Sequence, residues 1–232
     1  MIVAFVPARS GSERVKDKNI LEINGVPIIH YTLISARDSG VFDRIVVSTD
    51  SDLYGEIASQ IKGVEVLKRP GKYSKSTSPD IEWVKHAICE LDLKDDDIFS
   101  ILRPTSPLRR VETIRKAIKC FGDVHTKYDS LRAIAKVDVH PGKMWIKNHN
   151  TITPLLPFSY CEIPWHSSQK KVLPEVYYQT ASLEVASVST VLKGGSISGE
   201  HVYGFEVDGV DKFDINEIED IDRLKKILTH NQ

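Results

Sequence analysis

In the first half of this sequence, short apolar runs alternate with segments of helical periodicity, and few folds accommodate that order. The runs have the length of strands and lie at Ile2–Val6, Ile45–Val47, Val64–Leu67 and Ile98–Leu102. Because consecutive residues are apolar, we expect strands that are buried on both faces. Strands that alternate with helices pair in parallel through right-handed crossovers. The sequence therefore predicts an α/β fold with a three-layer, open and mostly parallel sheet.

Helix boundary signals separate these runs. Pro27 stands where a first helix can begin, and Gly40 stands where that helix would end. Pro79-Asp80 marks the start of another helix. Further helices are predicted at Leu53–Ile61, at Val111–Phe121 and in a final amphipathic segment that carries Ile218, Ile221, Leu224, Ile227 and Leu228. Strand patterns return at Tyr177–Val185 and His201–Val207.

The segment from Asp138 to Pro174 breaks this alternation. It is rich in proline, tryptophan and histidine and has little clear period. A chain of 232 residues with no internal repeat and no low-complexity linker suits one domain, residues 1–232, in which residues 138–174 form an insertion. Interfaces are enriched in Trp and Tyr. We therefore expect this insertion to form a homodimer contact or a lid over the site.

Composition and charge narrow the possible functions. The 31 Lys and Arg residues balance 32 Asp and Glu residues, whereas a dedicated nucleic-acid binder usually carries a basic excess. The three cysteines, Cys89, Cys120 and Cys161, form neither a zinc spacing nor a disulfide framework. Met1–Val6 is typical of a first strand rather than a signal peptide, and no apolar run is long enough to span a bilayer. We expect a cytoplasmic protein without nucleic-acid or membrane partners.

The polar segment Pro7–Asn19 follows the first strand directly and is the strongest candidate site. Gly11 and the serines allow backbone N–H groups to approach a polyphosphate. Arg9, Arg14 and Lys18 can contact phosphate oxygens. The segment is neither a Walker loop nor a GxGxxG loop. A solvated charged loop has the same composition, and from the residues alone the two interpretations stand level.

The position of a ligand follows from the predicted sheet. Ligands on open α/β sheets bind at the carboxyl ends of strands, where the strand order switches. That rule points to Pro7–Asn19, Ser48–Asp50 and Arg103–Arg109. Two of these have structural alternatives: Asp50 can cap the next helix, and the prolines of Arg103–Arg109 can simply shape a turn.

Several short motifs occur in one order along nearly the whole chain. They are Ala8-Arg9-Ser10-Gly11-Ser12 with Lys18-Asn19-Ile20, Arg44–Asp50, Arg69-Pro70, Arg103–Arg109, His140-Pro141 with Lys143-Met144, and Leu173-Pro174. In this combination the chain resembles the sugar cytidylyltransferases, and among them the acylneuraminate (CMP-sialic acid) synthetase family. The resemblance implies a Rossmann-like nucleotidyltransferase fold. It also implies a reaction in which CTP and a nine-carbon 2-keto sugar acid give a CMP-sugar and pyrophosphate, with Mg²⁺ as cofactor.

The resemblance also implies roles for the matching positions. For CTP it implies Arg9, Ser10, Gly11, Ser12, Lys18, Asn19, Arg69, Thr77 and Ser78. For the sugar acid it implies Arg103, Thr105, Ser106, Lys143, Lys170, Gln179 and Thr180. It assigns catalysis to Arg9, Lys18 and Asp214, and the metal to Asp214 and Asn216. Asp214 has a second interpretation as a helix N-cap, with Glu217 three residues on as in a capping box.

The chain departs from the family pattern at several positions. Thr180 stands where the family has an amide side chain, Arg103 where it usually has Gln, and Asn216 where it has a second metal-binding Asp. Lys170-Lys171 replaces an arginine-rich stretch, and lysine lacks the bidentate fork of arginine. Two alternatives therefore stay open. One is a nucleotidyltransferase acting on the eight-carbon acid Kdo or on a sugar 1-phosphate, and the other is a nucleotide-binding family member that has lost its activity.

Overall fold

Strands and helices alternate through the residues that this computed structural model describes, 1–12 and 14–230. The strands are β1 (Ile2–Pro7), β2 (Glu22–Ile23), β3 (Val26–Pro27), β4 (Arg44–Thr49), β5 (Val64–Lys68), β6 (Ile98–Ile101), β7 (Ser130–Lys136), β8 (Trp145–Asn148), β9 (Thr151–Pro154), β10 (Ser159–Tyr160), β11 (Ile163–Pro164), β12 (Tyr177–Ser187) and β13 (Val202–Glu206). The α-helices are α1 (Ile28–Ser39), α2 (Asp52–Ser59), α3 (Asp80–Glu90), α4 (Val111–Val124), α5 (Val188–Gly194) and α6 (Ile218–His230). Every strand and helix predicted from the sequence is present within a few residues of its expected ends.

The main sheet has seven strands in the order β13-β7-β12-β6-β1-β4-β5. β1 pairs in parallel with β4 on one side and with β6 on the other, and β4 pairs in parallel with β5. β12 runs antiparallel to β6. The chain thus builds outward from β1 through β4 and β5, and then returns to the other side of β1 to form β6. This return is the switch in strand order at which α/β proteins bind ligands.

The side chains of β1 alternate between two apolar layers. Ala4 and Val6 pack in the cluster that contains residues of α1, α2 and α4. Val3 and Phe5 pack on the opposite face with residues of α3 and α5. All four side chains are fully buried. This arrangement confirms the predicted three-layer, mostly parallel fold class.

The chain divides into two compact units. The first contains Met1–Ala133 and Thr180–Gln232, and the second is Ile134–Gln179. Within the second unit β8 pairs with β9 and β10 pairs with β11, both antiparallel. The segment 138–174, which the sequence predicts as an insertion, lies inside this second unit.

Some elements were not predicted, and each has a physical reason. β7 buries Leu131, Ala133 and Ala135 in alternation, but Arg132 interrupts its apolar run. α5 has seven residues, which is too short for a helical period to be recognised. The hairpins of the second unit have mostly exposed strands, so the core imposes no hydrophobic alternation on their sequences.

Candidate functional site

A cleft lies at the carboxyl ends of the central strands of the first unit. Its walls come from the loop after β1, the residue that follows β5, the start of α3 and the loop after β6. The lining residues are Pro7, Arg9, Ser12, Lys18, Asn19, Arg69, Asp80, Arg103, Pro104 and Thr105. Seven site residues proposed from the sequence therefore lie together: Arg9, Ser12, Lys18, Asn19, Arg69, Arg103 and Thr105.

Asp50 anchors the loop that follows β1. The backbone N–H of Ser10 donates to Asp50 Oδ1 at 2.7 Å, and the Ser10 hydroxyl donates to Asp50 Oδ2 at 2.8 Å. The interpretation of Asp50 as a helix cap is wrong, because Ser51 occupies the N-cap of α2 and accepts from Tyr54 N–H. Ser10, expected to contact phosphate, already uses its hydroxyl proton inside the protein.

The same loop has two further features that shape the cleft. Asn19 is buried, and its amide Nδ2 donates to the carbonyl of Arg9 at 3.2 Å, so both ends of the loop are tied together. Gly11 has φ of 72°, a left-handed conformation that favours glycine, and apart from its chain neighbours no described residue has a heavy atom within 4 Å of a Cβ built there. The backbone at Gly11 is thus open to an approaching group. Glu13 of this loop lies outside the described residues.

Lys18 links this loop to the segment that carries Asp214. Its Nζ donates to the carbonyl of Ile215 at 2.8 Å, and the N–H of Ile215 donates to the carbonyl of Thr105 at 2.8 Å. Burial lowers the pKa of the Lys18 ammonium, and the nearby Asp214 carboxylate opposes that shift. The two loops at the cleft and the Asp214 segment are therefore held in one arrangement.

Asp214 has one carboxylate oxygen in use and one without a partner. Oδ2 accepts from the Asn216 amide at 2.9 Å, whereas Oδ1 is buried and has no hydrogen bond to any described residue. The N-cap interpretation of Asp214 is wrong, because α6 begins at Ile218 and Asp220 accepts the preceding N–H groups of Asn216 and Glu217. A buried oxygen without a donor suits a cation, since Mg²⁺ prefers oxygen ligands.

The possible metal ligands in this region are few. Among residues 1–12 and 14–230, no group of three or more His, Cys, Asp or Glu side chains is placed to hold a metal ion. Asp214 with the amide oxygen of Asn216 would therefore need further oxygens from a bound substrate and from water, which is a common arrangement for Mg²⁺.

Arg69 is a largely buried residue of the cleft wall. Its Nε donates to Ser48 Oγ at 3.0 Å and its Nη2 to the Ser48 carbonyl at 2.9 Å. The guanidinium also lies over the ring of Trp83, 4.8 Å from the centroid, where a cation is attracted by the face of the ring. Burial lowers the pKa of Arg69 to about 10. Much of its hydrogen-bonding capacity thus serves the fold of the strand ends.

Arg103 is paired with two carboxylates. Its Nη2 donates to Asp80 Oδ2 at 2.6 Å and to Glu184 Oε1 at 2.9 Å. Burial lowers the pKa of Arg103, but Asp80 and Glu184 outweigh burial and raise it above its ordinary value. In the reverse sense, burial raises the pKa of Asp80, but Arg103 and a hydrogen bond from Trp83 lower it overall. The Arg103 guanidinium therefore keeps its positive charge, and the carboxylates of Asp80 and Glu184 lie beside it.

Sequence reasoning missed Asp80 and Glu184. Asp80 was identified only as a helix start, and nothing in its neighbourhood signalled a cleft residue. Glu184 had a usable signal, since it is an acidic residue between two apolar ones, Leu183 and Val185, in a predicted strand. A charged residue at such a position requires a partner.

Other predicted residues do not line this cleft. Thr77 is exposed, and the Ser78 hydroxyl donates to the carbonyl of Lys72 at 3.1 Å. The Ser106 hydroxyl is buried and has no partner among the described residues. Thr180 is buried and donates to the carbonyl of Ala133 at 3.2 Å.

The remaining predicted residues, Lys143, Lys170 and Gln179, belong to the second unit. The Lys143 ammonium donates to the carbonyls of His166 and Ser168. Lys170 Nζ donates to the carbonyl of Asp138 at 3.2 Å. This unit has its own cavity of about 440 Å³, lined by Lys136, Val137, His140, Lys170, Lys171, Leu173, Pro174, Glu175 and Val176.

Within residues 1–12 and 14–230, no helix combines the length and the apolar character that crossing a bilayer requires.

Comparison with known proteins gives a family match. Residues 3–141 match the family model described as Cytidylyltransferase. An N-acylneuraminate cytidylyltransferase of Escherichia coli O18:K1:H7 is 27% identical over 219 residues, covering 93% of this chain and 49% of that protein. A CMP-N,N'-diacetyllegionaminic acid synthase of Legionella pneumophila is 38% identical over 124 residues, covering 51% of this chain and 52% of that protein. Each of these matches thus covers about half the length of the curated relative.

A solved structure with the same fold extends the match beyond the family model. A CMP:2-keto-3-deoxy-manno-octonic acid synthetase complexed with CTP has a TM-score of 0.74 at 12% identity, and the match covers 100% of this chain and 99% of that one. At this identity the likeness shows a shared fold.

Proposed function

This chain belongs to the cytidylyltransferase family, and we propose that it transfers the cytidylyl group of CTP to a 2-keto sugar acid of the nonulosonate class, giving a CMP-sugar and pyrophosphate. One observation carries the proposal. The loop after β1, with Arg9 and Lys18, and the loop after β6, with Arg103, meet in one cleft at the switch in strand order. Cationic and backbone donors in such a cleft suit a polyphosphate.

The class of acceptor is inferred from the relatives. The two curated proteins are named for N-acylneuraminate and for N,N'-diacetyllegionaminic acid. Both names denote nonulosonates, so similarity along the chain favours an acceptor of that class. The synthetase for the eight-carbon acid shares the fold at 12% identity, and its acceptor enters as a competitor in the experiment below.

The triphosphate would lie against the loop that follows β1. Arg9, Ser12 and Asn19 line the cleft there, and the backbone at Gly11 is open. Lys18 is only partly hydrated, and burial disfavours its charged form. A phosphate oxygen beside its Nζ would add to the countercharge of Asp214, and hydrogen bonds to ionised groups are the stronger kind. Arg69, Thr77 and Ser78 are proposed to border the base and ribose.

In the proposed reaction the anomeric hydroxyl of the sugar acid attacks the α-phosphorus in line. The bond between the α-phosphorus and the bridging oxygen breaks, pyrophosphate leaves, and the hydroxyl proton is released. Charge spreads over the phosphate oxygens in such transfers, so the protein contributes mainly positioning and electrostatic stabilisation. Arg9 and Lys18 would provide that stabilisation at the phosphates.

Asp214 is proposed to hold Mg²⁺, with Asn216 as a neutral helper. The support is the buried Asp214 Oδ1, which no described residue satisfies. When bound, Mg²⁺ would neutralise charge on the phosphate oxygens. Lys18 donates to the backbone carbonyl beside Asp214, which supports a metal site next to the proposed phosphate-binding loop.

The proposed sugar-acid contacts of the first unit are Arg103, Thr105 and Ser106, which follow β6, and Thr180. In the second unit, taken by itself, Lys143, Lys170 and Gln179 stay predicted contacts that rest on the family resemblance. Because the Thr180 hydroxyl donates to a backbone carbonyl, Thr180 would shape the pocket rather than donate to the sugar.

We further propose a homodimer formed through the second unit. Its exposed large apolar side chains are Val139, Met144, Trp145, Ile146, Ile152, Leu155, Phe158, Tyr160, Ile163, Val172 and Tyr178. Eleven exposed large apolar side chains in a unit of this size support an interaction surface. The three cysteines are not joined by disulfides, which suits a proposed cytoplasmic location with a reducing environment.

The function is tested by measuring pyrophosphate release from each of CTP, ATP, GTP and UTP. The acceptors are N-acetylneuraminate, a legionaminic acid, a pseudaminic acid and the eight-carbon acid Kdo, and one reaction uses a sugar 1-phosphate. We expect turnover with CTP and a nonulosonate. Turnover only with Kdo or only with the sugar 1-phosphate would show that the acceptor is not a nonulosonate. CTP binding without any turnover would favour a nucleotide-binding protein that lacks activity.

Arg9→Ala and Lys18→Ala should each weaken CTP binding. A charge-assisted contact contributes about 1.5–3 kcal/mol, so the CTP affinity measured by calorimetry should fall about tenfold or more. Lys16→Ala is the matched control, because Lys16 is an exposed cation in the same loop and does not line the cleft. If the three variants and the unchanged chain bound CTP with equal affinity, the loop would not be part of the CTP-binding site.

Asp214→Asn should lower turnover strongly and leave the fold intact. The substitution keeps the size of the side chain and removes the charge that a metal requires. We also expect Asn216→Asp to lower the Mg²⁺ concentration for half-maximal rate, because a second carboxylate strengthens the site. A magnesium titration of the three proteins with CTP and an accepted sugar acid measures both effects. Full activity of Asp214→Asn at every magnesium concentration would contradict the metal assignment.

Light scattering at micromolar concentration should give the mass of a dimer. Ile163→Glu, at a side chain 52% exposed in the second unit, should shift the mass toward the monomer. Leu53→Glu is the control, because Leu53 is 55% exposed on α2 in the first unit. A monomer for the unchanged chain would contradict the proposed homodimer.

A further inference from the structure

Glu184 is a charged side chain in the interior of the first unit. It lies on β12 opposite Ile101 of β6 and is 6% exposed. Its neighbours in the strand, Leu183 and Val185, are buried as well. An ionised carboxylate in such a place is costly unless it is paired. The sequence tolerates it because two arginines reach it from different elements.

Arg132 of β7 holds Glu184 from one side. Its Nη1 lies 2.7 Å from Glu184 Oε2, although no hydrogen bond to that oxygen is well aligned. The other nitrogens of Arg132, Nε and Nη2, donate to Ser198 Oγ at 3.1 and 2.5 Å. Arg132 is thus held by Ser198 on one side of its guanidinium and paired with Glu184 on the other.

Arg103 holds Glu184 from the cleft side. Its Nη2 donates to Glu184 and to Asp80, so a single nitrogen is shared by two carboxylates. The backbone of Arg103 is fixed as well, because Arg109, a fully buried arginine, donates from Nη2 to the Arg103 carbonyl at 3.0 Å. Both the main chain and the side chain of Arg103 are therefore clamped.

The rest of the Arg103 guanidinium is left for a ligand. Nε and Nη1 make no hydrogen bond to the described residues, and neither is among the buried atoms that lack a partner. The side chain is 27% exposed and lines the cleft. Asp80, Glu184, Arg103 and Arg132 carry two charges of each sign, so the group is neutral as a whole. Arg103 consequently offers directed donors rather than a net positive field.

We propose that Glu184, held in place by Arg132, is a positioning residue that orients the Arg103 guanidinium to receive an oxyanion of a substrate in the cleft. The oxyanion is a phosphate of CTP or the carboxylate of the sugar acid. This inference rests on the proposed function for the identity of those substrates. It goes further in giving a role to two residues, Glu184 and Arg132, that do not line the cleft.

A purely structural ion pair is the competing explanation, and a double-mutant cycle separates the two. The variants are Glu184→Gln, Arg103→Gln and the double variant, each with kcat and both KM values measured. We expect Glu184→Gln to raise one KM about tenfold, as for loss of a charge-assisted contact. The affected KM identifies the oxyanion as phosphate or carboxylate. In the Arg103→Gln background, Glu184→Gln should change that KM less than about twofold.

Equal effects of Glu184→Gln in both backgrounds would overturn the proposal, because Glu184 would then act without Arg103. The proposal would also be overturned if Glu184→Gln lowered kcat and the unfolding midpoint but left both KM values unchanged. Should Glu184→Gln fail to fold, Ser198→Ala takes its place, since it only frees Arg132. We expect Ser198→Ala to raise the KM that Arg103→Gln also raises, but by a smaller factor. No change in that KM would overturn the proposal.

A readout that needs no turnover separates this inference from the proposed function. Nitrogen-15 NMR measures the rotation of the Arg103 guanidinium about its Nε–Cζ bond, with the signal assigned by its loss in Arg103→Gln. Rotation should be about tenfold faster in Glu184→Gln. It should be unchanged in Glu65→Gln, which alters an exposed pair with Arg44. An unchanged rotation rate in Glu184→Gln would overturn the positioning role whatever the reaction proves to be.

Discussion

The burial of β1 on both faces of the sheet dictates where polar groups can stand in this protein. Val3 and Phe5 pack on one side, and Ala4 and Val6 on the other, so the strand offers no position to a charge. The chain reaches solvent again only at the carboxyl end of β1. Because β4 and β6 flank β1 in parallel, their polar continuations emerge at the same edge. The cleft is the consequence of that alignment.

Hydrogen bonds between loops then convert a shared edge into a defined site. Asp50, after β4, holds Ser10 of the loop after β1. Lys18 holds Ile215, which in turn donates to Thr105 after β6. Each contact crosses between segments that are far apart in sequence. Together they bring the segment that carries Asp214 to the loop after β1, and they leave Asp214 Oδ1 without a hydrogen bond from any described residue.

Much of the fold and part of the site could be predicted from the sequence. The apolar runs at Ile2–Val6 and Ile98–Leu102 predicted their strands, and Gly40 correctly marked the end of α1, with φ of 65°. The cleft edge was predicted as well, since it follows from parallel pairing. Two local interpretations were wrong. Asp50 and Asp214 both occupy positions where a helix cap is plausible, but Ser51 and Asp220 satisfy those helix starts instead.

Local pattern in the chain determined the strands, the helices and the edge of the sheet that carries the polar loops. These properties depend on neighbours a few residues apart, through burial, periodicity and turn chemistry. The pairing of charges was decided by tertiary structure. Arg103 follows β6, Asp80 begins α3, and Glu184 and Arg132 lie on β12 and β7. Only the sheet order β7-β12-β6 brings three of these segments side by side. A buried charge signals that a partner exists, but the identity of the partner depends on which strands become neighbours, and that depends on packing across the whole first unit.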